Sequence, residues 1–284
     1  MMTEILDGRI LSYKIRQQLK QRITRLQEHK VIPALAVVLV GSDNASQIYV
    51  RNKHRAAAEV GLTTHDFKLP ETVTEEALLA LIAKLNVDSS IHGILVQLPL
   101  PRQINAAKVT AAIDPAKDVD GFHPLNIGQL FLNNPQSLPC TPHGIMRLLA
   151  EHQIDVARKH AVIVGRSNIV GRPIAALLLN ADATVTITHS KTVNLRELTR
   201  QADILIVATG RAEFIKRADV KPGVVVVDVG MNRDATGKLV GDVDFTEVAP
   251  VAAAITPVPG GVGPMTIAML LEQTVKFAER QIGG

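Results

Sequence analysis

The stretch Val164-Gly165-Arg166-Ser167-Asn168-Ile169-Val170-Gly171 joins an apolar run, Ala161 to Val164, that reads as a strand to a segment, Pro173 to Asn180, that reads as a helix. A glycine-bearing turn from strand into helix presents free backbone N–H groups and the positive end of the helix dipole, the arrangement that holds a pyrophosphate. The spacing departs from G-x-G-x-x-G: Gly165 takes the first place, Ser167 stands where the second glycine would be, and Gly171 comes one residue late. The loop alone is therefore read two ways, as a phosphate cradle or as a tight turn whose glycines serve only the backbone.

Its surroundings favour the cradle. Pro173 sits in the first helical turn, where a missing N–H does no harm. The chain continues as strand Thr184 to Thr188, helix Leu195 to Gln201, strand Ile204 to Val207 and strand Val224 to Val229, a Rossmann-like order. After the second of these strands comes His189-Ser190-Lys191, where an NAD site would place an acidic residue for the ribose hydroxyl. A hydroxyl and an ammonium suit a 2′-phosphate instead, with Arg166 a further candidate, so NADP is expected over NAD; Lys191 alone is equally a solvated charge.

Toward the N-terminus, Leu11, Ile15, Leu19, Ile23 and Leu26 mark one face of an amphipathic helix over Gly8 to Lys30. Ala34 to Val40 and Ile91 to Val96 read as buried strands, and Ser46 to Val60 and Thr74 to Leu85 as helices between them. The expected pattern is strand, helix, helix, strand. Gln97-Leu98-Pro99-Leu100-Pro101 then makes a rigid, extended exit from the second strand. A terminal helix, Met265 to Ile282, follows the loop Pro257-Val258-Pro259-Gly260-Gly261-Val262-Gly263-Pro264. The expected fold class is α/β with two domains and a cleft between them. Residues 1–141 plus 265–284 form a catalytic, substrate-binding domain, and 142–264 form an inserted Rossmann-like NADP-binding domain.

The 284-residue length and 46% hydrophobic content suit a packed globular enzyme. Net charge is +4 and pI near 9.2, but the cations are dispersed and aromatics make up only 3%, which argues against nucleic acid. Charged residues punctuate Met1 to Lys30, so neither a signal peptide nor a membrane span is expected, and a cytoplasmic location is. The single cysteine, Cys140, cannot form an internal disulfide and reads as a small packing residue. The nine histidines are scattered and no metal site is expected.

Tyr49 and Lys53 lie four apart on a helix and share a face. A lysine on a helix, taken alone, reads as a solvated surface residue. Gln97 changes the weighing, because a glutamine ending a buried apolar strand needs partners for its amide. Asp118-Val119-Asp120-Gly121 adds an acidic turn, in which Asp118 can simply accept from backbone N–H groups.

Tyr49-Val50 with Lys53, Gln97-Leu98-Pro99-Leu100-Pro101, Lys117-Asp118-Val119-Asp120-Gly121, Gly165-Arg166-Ser167 and Pro257 to Thr266, in that order along nearly the whole chain, resemble the bifunctional methylenetetrahydrofolate dehydrogenase and methenyltetrahydrofolate cyclohydrolase family, the FolD proteins. The resemblance implies NADP-dependent oxidation of 5,10-methylenetetrahydrofolate by hydride transfer, then hydrolysis of the methenyl product to 10-formyltetrahydrofolate. It implies that Lys53 handles protons, that Gln97 holds Lys53, that Tyr49 packs on the substrate, and that Asp120 accepts from the pterin N–H groups. Gly260, Gly261 and Gly263 would approach the folate, and Gly165, Arg166, Ser167, Ile169, Ser190, Lys191 and Met231 would line the cofactor site. Met231 read without the family is a core residue. Tetrahydrofolate derivatives are the implied partners, with a homodimer as the implied assembly. Another NADP oxidoreductase, such as a shikimate-like dehydrogenase, explains the C-terminal half but not the co-occurrence of Tyr49, Lys53, Gln97 and Asp120.

Overall fold

The computed structural model describes residues 3–41 and 44–282, with the backbone alone for 44–49. The chain forms two compact units, Met1–Ser12 with Thr141–Thr266 and Tyr13–Cys140 with Ile267–Gly284. The elements run β1 (Glu4–Ile5), α1 (Gly8–Glu28), β2 (Ala34–Val40), α2 (Asn44–Val60), β3 (Thr63–Leu69), α3 (Glu75–Val87), β4 (Gly93–Val96), α4 (Ala106–Ala112), α5 (Pro124–Phe131) and α6 (Cys140–Glu151). They continue β5 (His160–Val164), α7 (Gly171–Asn180), β6 (Thr184–Thr188), α8 (Leu195–Thr199), β7 (Ile204–Val207), β8 (Val225–Asp228), β9 (Asn232–Arg233), β10 (Leu239–Val240), α9 (Phe245–Val248), β11 (Ala254–Ile255) and α10 (Val262–Glu279). Among the described residues no helix is long and apolar enough to cross a membrane.

The unit built on residues 13–140 holds a three-stranded parallel sheet in the order β3-β2-β4. All seven residues of β2 are buried, which is why that strand is apolar without alternation. Leu78, Ile82 and Leu85 of α3 cover one face together with Ile94 and Val96 of β4. The helix starts cleanly: the Thr74 hydroxyl accepts from Ala77 N–H at 3.2 Å, and Glu75 and Glu76 sit in the positive first turn. The stripe expected along α1 is buried throughout, from Leu11 to Leu26.

The strand, helix, helix, strand expectation is corrected by β3. This edge strand, Thr-Thr-His-Asp-Phe-Lys-Leu, is mostly exposed and polar, so it carries no apolar run; only Phe67 and Leu69 turn toward the core. The short helices α4 and α5 were also not read from the sequence. Their starts are marked by side-chain caps, Asn105 on the N–H groups of Ala107 and Lys108 and His123 on that of Leu125.

The other unit carries a six-stranded sheet, β1-β11-β8-β7-β5-β6, in which every paired neighbour is parallel. The order runs outward from β5 in both directions, so the loops after β5 and β7 diverge at a switch point, where open α/β sheets take their ligands. Residues 3–12, expected in the other domain, belong here. Glu4 N–H donates to Ala253 C=O and Leu6 N–H to Ile255 C=O, each at 2.9 Å, which adds β1 to the sheet edge beside β11. A two-residue strand has no periodicity by which to announce itself.

Ile82 has no exposed surface and lies between α3 and the sheet. Ile82→Ala is expected to lower unfolding free energy by about 2–5 kcal/mol through lost burial and a residual cavity. Urea unfolding followed by circular dichroism checks this as a fall in midpoint at unchanged slope.

Candidate functional site

In the 13–140 unit, three of the expected residues come together from three separate elements. Lys53 projects from α2 and is only 4% exposed. Gln97 follows the last residue of β4, where its backbone N–H still donates to Val38 C=O at 2.9 Å, extending the pairing with β2. The Lys53 ammonium donates to Gln97 Oε1 at 3.2 Å, and Gln97 Nε2 donates to Leu98 C=O at 2.8 Å. Both ends of the amide are thus engaged, which explains a glutamine at the end of an apolar strand. The Leu98–Pro99 peptide bond is cis.

Asp120 reaches the same place by a different route. Ile94 N–H donates to Lys117 C=O at 2.8 Å, laying residues 117–118 along β4. Asp118 fixes the turn that follows: Oδ1 accepts from Gly121 N–H at 3.0 Å, and Oδ2 accepts from His123 N–H at 2.8 Å and Asn126 Nδ2 at 2.9 Å. Asp118 is therefore the turn-building carboxylate, while Asp120 is the carboxylate whose charge Lys53 feels. An apolar recess beside Asp120 is walled by Val96, Leu98, Val109, Ile113 and Phe122. Tyr49 lies on α2 four residues before Lys53, but its side chain is outside the described residues.

Burial sets the electrostatics of this cluster. Loss of water lowers the proton affinity of Lys53, opposed by the negative charge of Asp120. The Asp120 carboxyl is pushed up to about 6, first by desolvation, with Lys53 pulling it down and Asp118 pushing it further up. Cys140 is buried, donates its thiol to Val119 C=O at 3.1 Å, and has its proton held tightly by burial and by the carboxylates nearby. That agrees with a packing cysteine and not with a thiolate nucleophile. Among the described residues no group of His, Cys, Asp and Glu could hold a metal ion.

In the other unit the glycine loop follows β5. Gly165 has φ +130°, and a Cβ there would lie 2.2 Å from Ala208 C=O, so the turn is closed to other residues. A Cβ on Gly171 would lie 2.2 Å from the Gly165 carbonyl oxygen, so α7 starts in contact with the turn. Ser167 Oγ accepts from the N–H groups of Val170 and Gly171 at 3.2 and 3.3 Å. Arg166, Ser167 and Ile169 are exposed. At the end of β6, His189 N–H donates to Thr192 Oγ1 at 2.8 Å and Lys191 N–H to His189 Nδ1 at 3.1 Å, which leaves Ser190 and Lys191 exposed on a tight turn. No carboxylate stands between Thr188 and Thr192, and a hydroxyl with a cation is a donor set that fits a phosphate on the ribose.

Met231 is 63% exposed, in contrast to a core methionine, and its sulfur is 3.8 Å from the position a Cβ on Gly263 would take. Gly260 and Gly261 are buried in the loop before α10, Gly261 closing a turn through its N–H to Pro257 C=O at 2.8 Å. The sequence reading overlooked Asp228 and Asp242, both buried beside this sheet edge. The available signal was a carboxylate set against a glycine within otherwise apolar runs, Asp228-Val229-Gly230 and Val240-Gly241-Asp242.

Residues 6–120 match the family model for the tetrahydrofolate dehydrogenase/cyclohydrolase catalytic domain, and residues 139–282 the model for the NAD(P)-binding domain of the same proteins. The chain is similar to the bifunctional protein FolD of Ligilactobacillus salivarius, at 61% identity over 100% of both chains. It superposes on the crystal structure of the Campylobacter jejuni bifunctional FolD dehydrogenase/cyclohydrolase with a TM-score of 0.97, at 53% identity, covering 99% of this chain and 100% of that one. The Trypanosoma brucei dehydrogenase-cyclohydrolase, solved with NADP cofactor and inhibitor, gives a TM-score of 0.95 at 38% identity, with 100% of both chains covered.

The coupling between Lys53 and Asp120 has a direct consequence. Because the lysine's charge is what pulls the Asp120 carboxyl down, Lys53→Met is expected to move its titration above the wild-type value of about 6. Carbon-13 NMR of the aspartate carboxyls across pH 4–9 checks it, and a downward move would show that the two groups do not face each other.

Proposed function

The chain belongs to the tetrahydrofolate dehydrogenase/cyclohydrolase family, and from that premise we propose how its residues divide the two reactions. It is a bifunctional enzyme that oxidises 5,10-methylenetetrahydrofolate to the methenyl cation with NADP and hydrolyses that cation to 10-formyltetrahydrofolate. The observation that carries the division is the buried Lys53, hydrogen-bonded to Gln97 and within the electrostatic influence of Asp120.

NADP, when bound, supplies the hydride acceptor. The folate nitrogens delocalise the charge left on the one-carbon bridge, so oxidation asks orientation of the protein and no general base. Asp120, ionised above about pH 6, accepts hydrogen bonds from the pterin amino and ring N–H groups. Tyr49 stacks on the substrate and Gln97 holds the lysine. In hydrolysis, water adds to the methenyl carbon and gives up a proton; the bond to one ring nitrogen then breaks, that nitrogen takes a proton, and the hydroxyl on the carbon loses its own proton to solvent as it becomes the formyl oxygen, so one proton is released overall. Neutral Lys53 receives the first proton and returns it to the departing nitrogen. A free lysine near pKa 10.4 is almost wholly charged at neutrality, so the lowering by burial is what makes it serviceable.

On the other unit, Gly165, Arg166, Ser167 and Ile169 receive the dinucleotide phosphates, Ser190 and Lys191 the 2′-phosphate, and Met231 the nicotinamide half. Gly260, Gly261 and Gly263 offer backbone to the folate. A catalytic domain built on the 13–140 unit, an NADP-binding domain built on the 141–266 unit, and a homodimer in the cytoplasm complete the proposal on the strength of the family resemblance.

Lys53→Met is expected to slow methenyl hydrolysis by about 10²-fold or more, the worth of a positioned acid–base group, while NADP binding stays near wild type. Decay of the methenyl absorbance read beside a NADPH fluorescence titration checks this, and equal losses in both would remove Lys53 from its role. Lys191→Ala is expected to raise the KM for NADP about tenfold or more and leave that for NAD nearly unchanged, since only NADP carries the phosphate. Steady-state kinetics with both nucleotides decide it.

A further inference from the structure

Asp242 is wholly buried where β7 and β8 end. Its Oδ2 accepts from the backbone N–H groups of Thr209 and of Gly210, the latter at 3.0 Å. Its Oδ1 accepts from Arg211 N–H at 3.0 Å and from the side-chain amide of Asn232 at 2.8 Å. One carboxylate thus ties together the loop that leaves β7 and the loop that leaves β8.

Both loops stand at the edge that carries the dinucleotide turn. Ala208, next to the first, donates its N–H to Val164 C=O at 2.8 Å and limits the room at Gly165. Asn232 adjoins the exposed Met231. The surroundings are cut to admit the carboxylate: a Cβ on Gly230 would lie 2.3 Å from Asp242 Oδ1, and one on Gly241 would lie 1.8 Å from Asp228 Oδ2. Asp228 in turn holds the backbone that bears Asp242, accepting from the N–H groups of Asp242 and Val243 at 2.9 Å each.

We propose that Asp242 is a positioning residue for NADP, its carboxylate clamping residues 209–211 and 231–232 in the arrangement that receives the dinucleotide. The inference rests on the assignment of this sheet edge to NADP and adds a buried residue that does not itself face the ligand. Backbone N–H groups aimed inward at Asp242 cannot swing out, so the loops keep one shape before the cofactor arrives and less order is lost on binding.

Asp242→Asn tests it, because an amide cannot accept on both sides and its NH₂ must face two of the four donors. NADPH fluorescence titration is expected to show Kd raised about tenfold or more, with methenyl hydrolysis falling by a smaller factor. Hydrogen exchange in the nucleotide-free protein is expected to quicken at Thr209, Gly210 and Arg211. Asn232→Ala, which frees only the β8 loop, is expected to raise Kd by a smaller factor in the same direction, and it decides the matter should Asp242→Asn fail to fold. Unchanged Kd in the folded variants, or hydrolysis falling as far as NADPH affinity, would overturn the clamp. Wild-type protein that does not bind NADPH would instead overturn the cofactor assignment, a failure visible before any substitution is made.

Discussion

Parallel strand pairing governs where everything else can be. In the three-stranded and six-stranded sheets each neighbour runs the same way, so every connection crosses back outside the sheet and every strand releases its chain at one edge. Gln97 after β4, Gly165 after β5, His189 after β6, Thr209 after β7 and Val229 after β8 are edge residues for that one reason. Chemistry collects at these edges because the strands themselves are buried and apolar, as β2, β4 and β7 show along their whole length.

Charge is admitted to the two units under different terms. Around Lys53 a cation and a carboxylate are both taken from water, and their proton affinities move toward each other: the lysine down, Asp120 up to about 6. Such a pair can change protonation during a reaction. Around Asp242 the carboxylate meets four donors, three of them backbone N–H groups, and the result is a rigid brace. The first arrangement suits proton transfer and the second suits holding a shape.

The elements legible in the sequence were those with long apolar signals. α1 announced itself by five leucines and isoleucines at helical spacing, and β2, β6 and β7 by short apolar or β-branched runs. β3 was missed because an edge strand needs apolar residues on one side only and here offers two, Phe67 and Leu69. β1 was missed because two residues cannot show a period, and its pairing with β11 spans nearly the length of the chain. Lys53, Gln97 and Asp120 were legible as candidates through residue type and family motif. Asp242 was not, because its partners at 209–211 lie about thirty residues upstream and contact it only through their backbone.

The sequence by itself determined the α/β class, the family and the two reactions, since buried strands, glycine turns and reactive side chains are all local in the chain. Tertiary structure alone decided how each acidic residue is held: Asp118 spends its oxygens on its own turn, Asp120 is stripped of water within reach of the Lys53 charge, and Asp242 braces two loops. All three look alike as letters. They differ in how many donors the fold brings within hydrogen-bonding distance and how much water it removes, and both quantities exist only once distant segments have met.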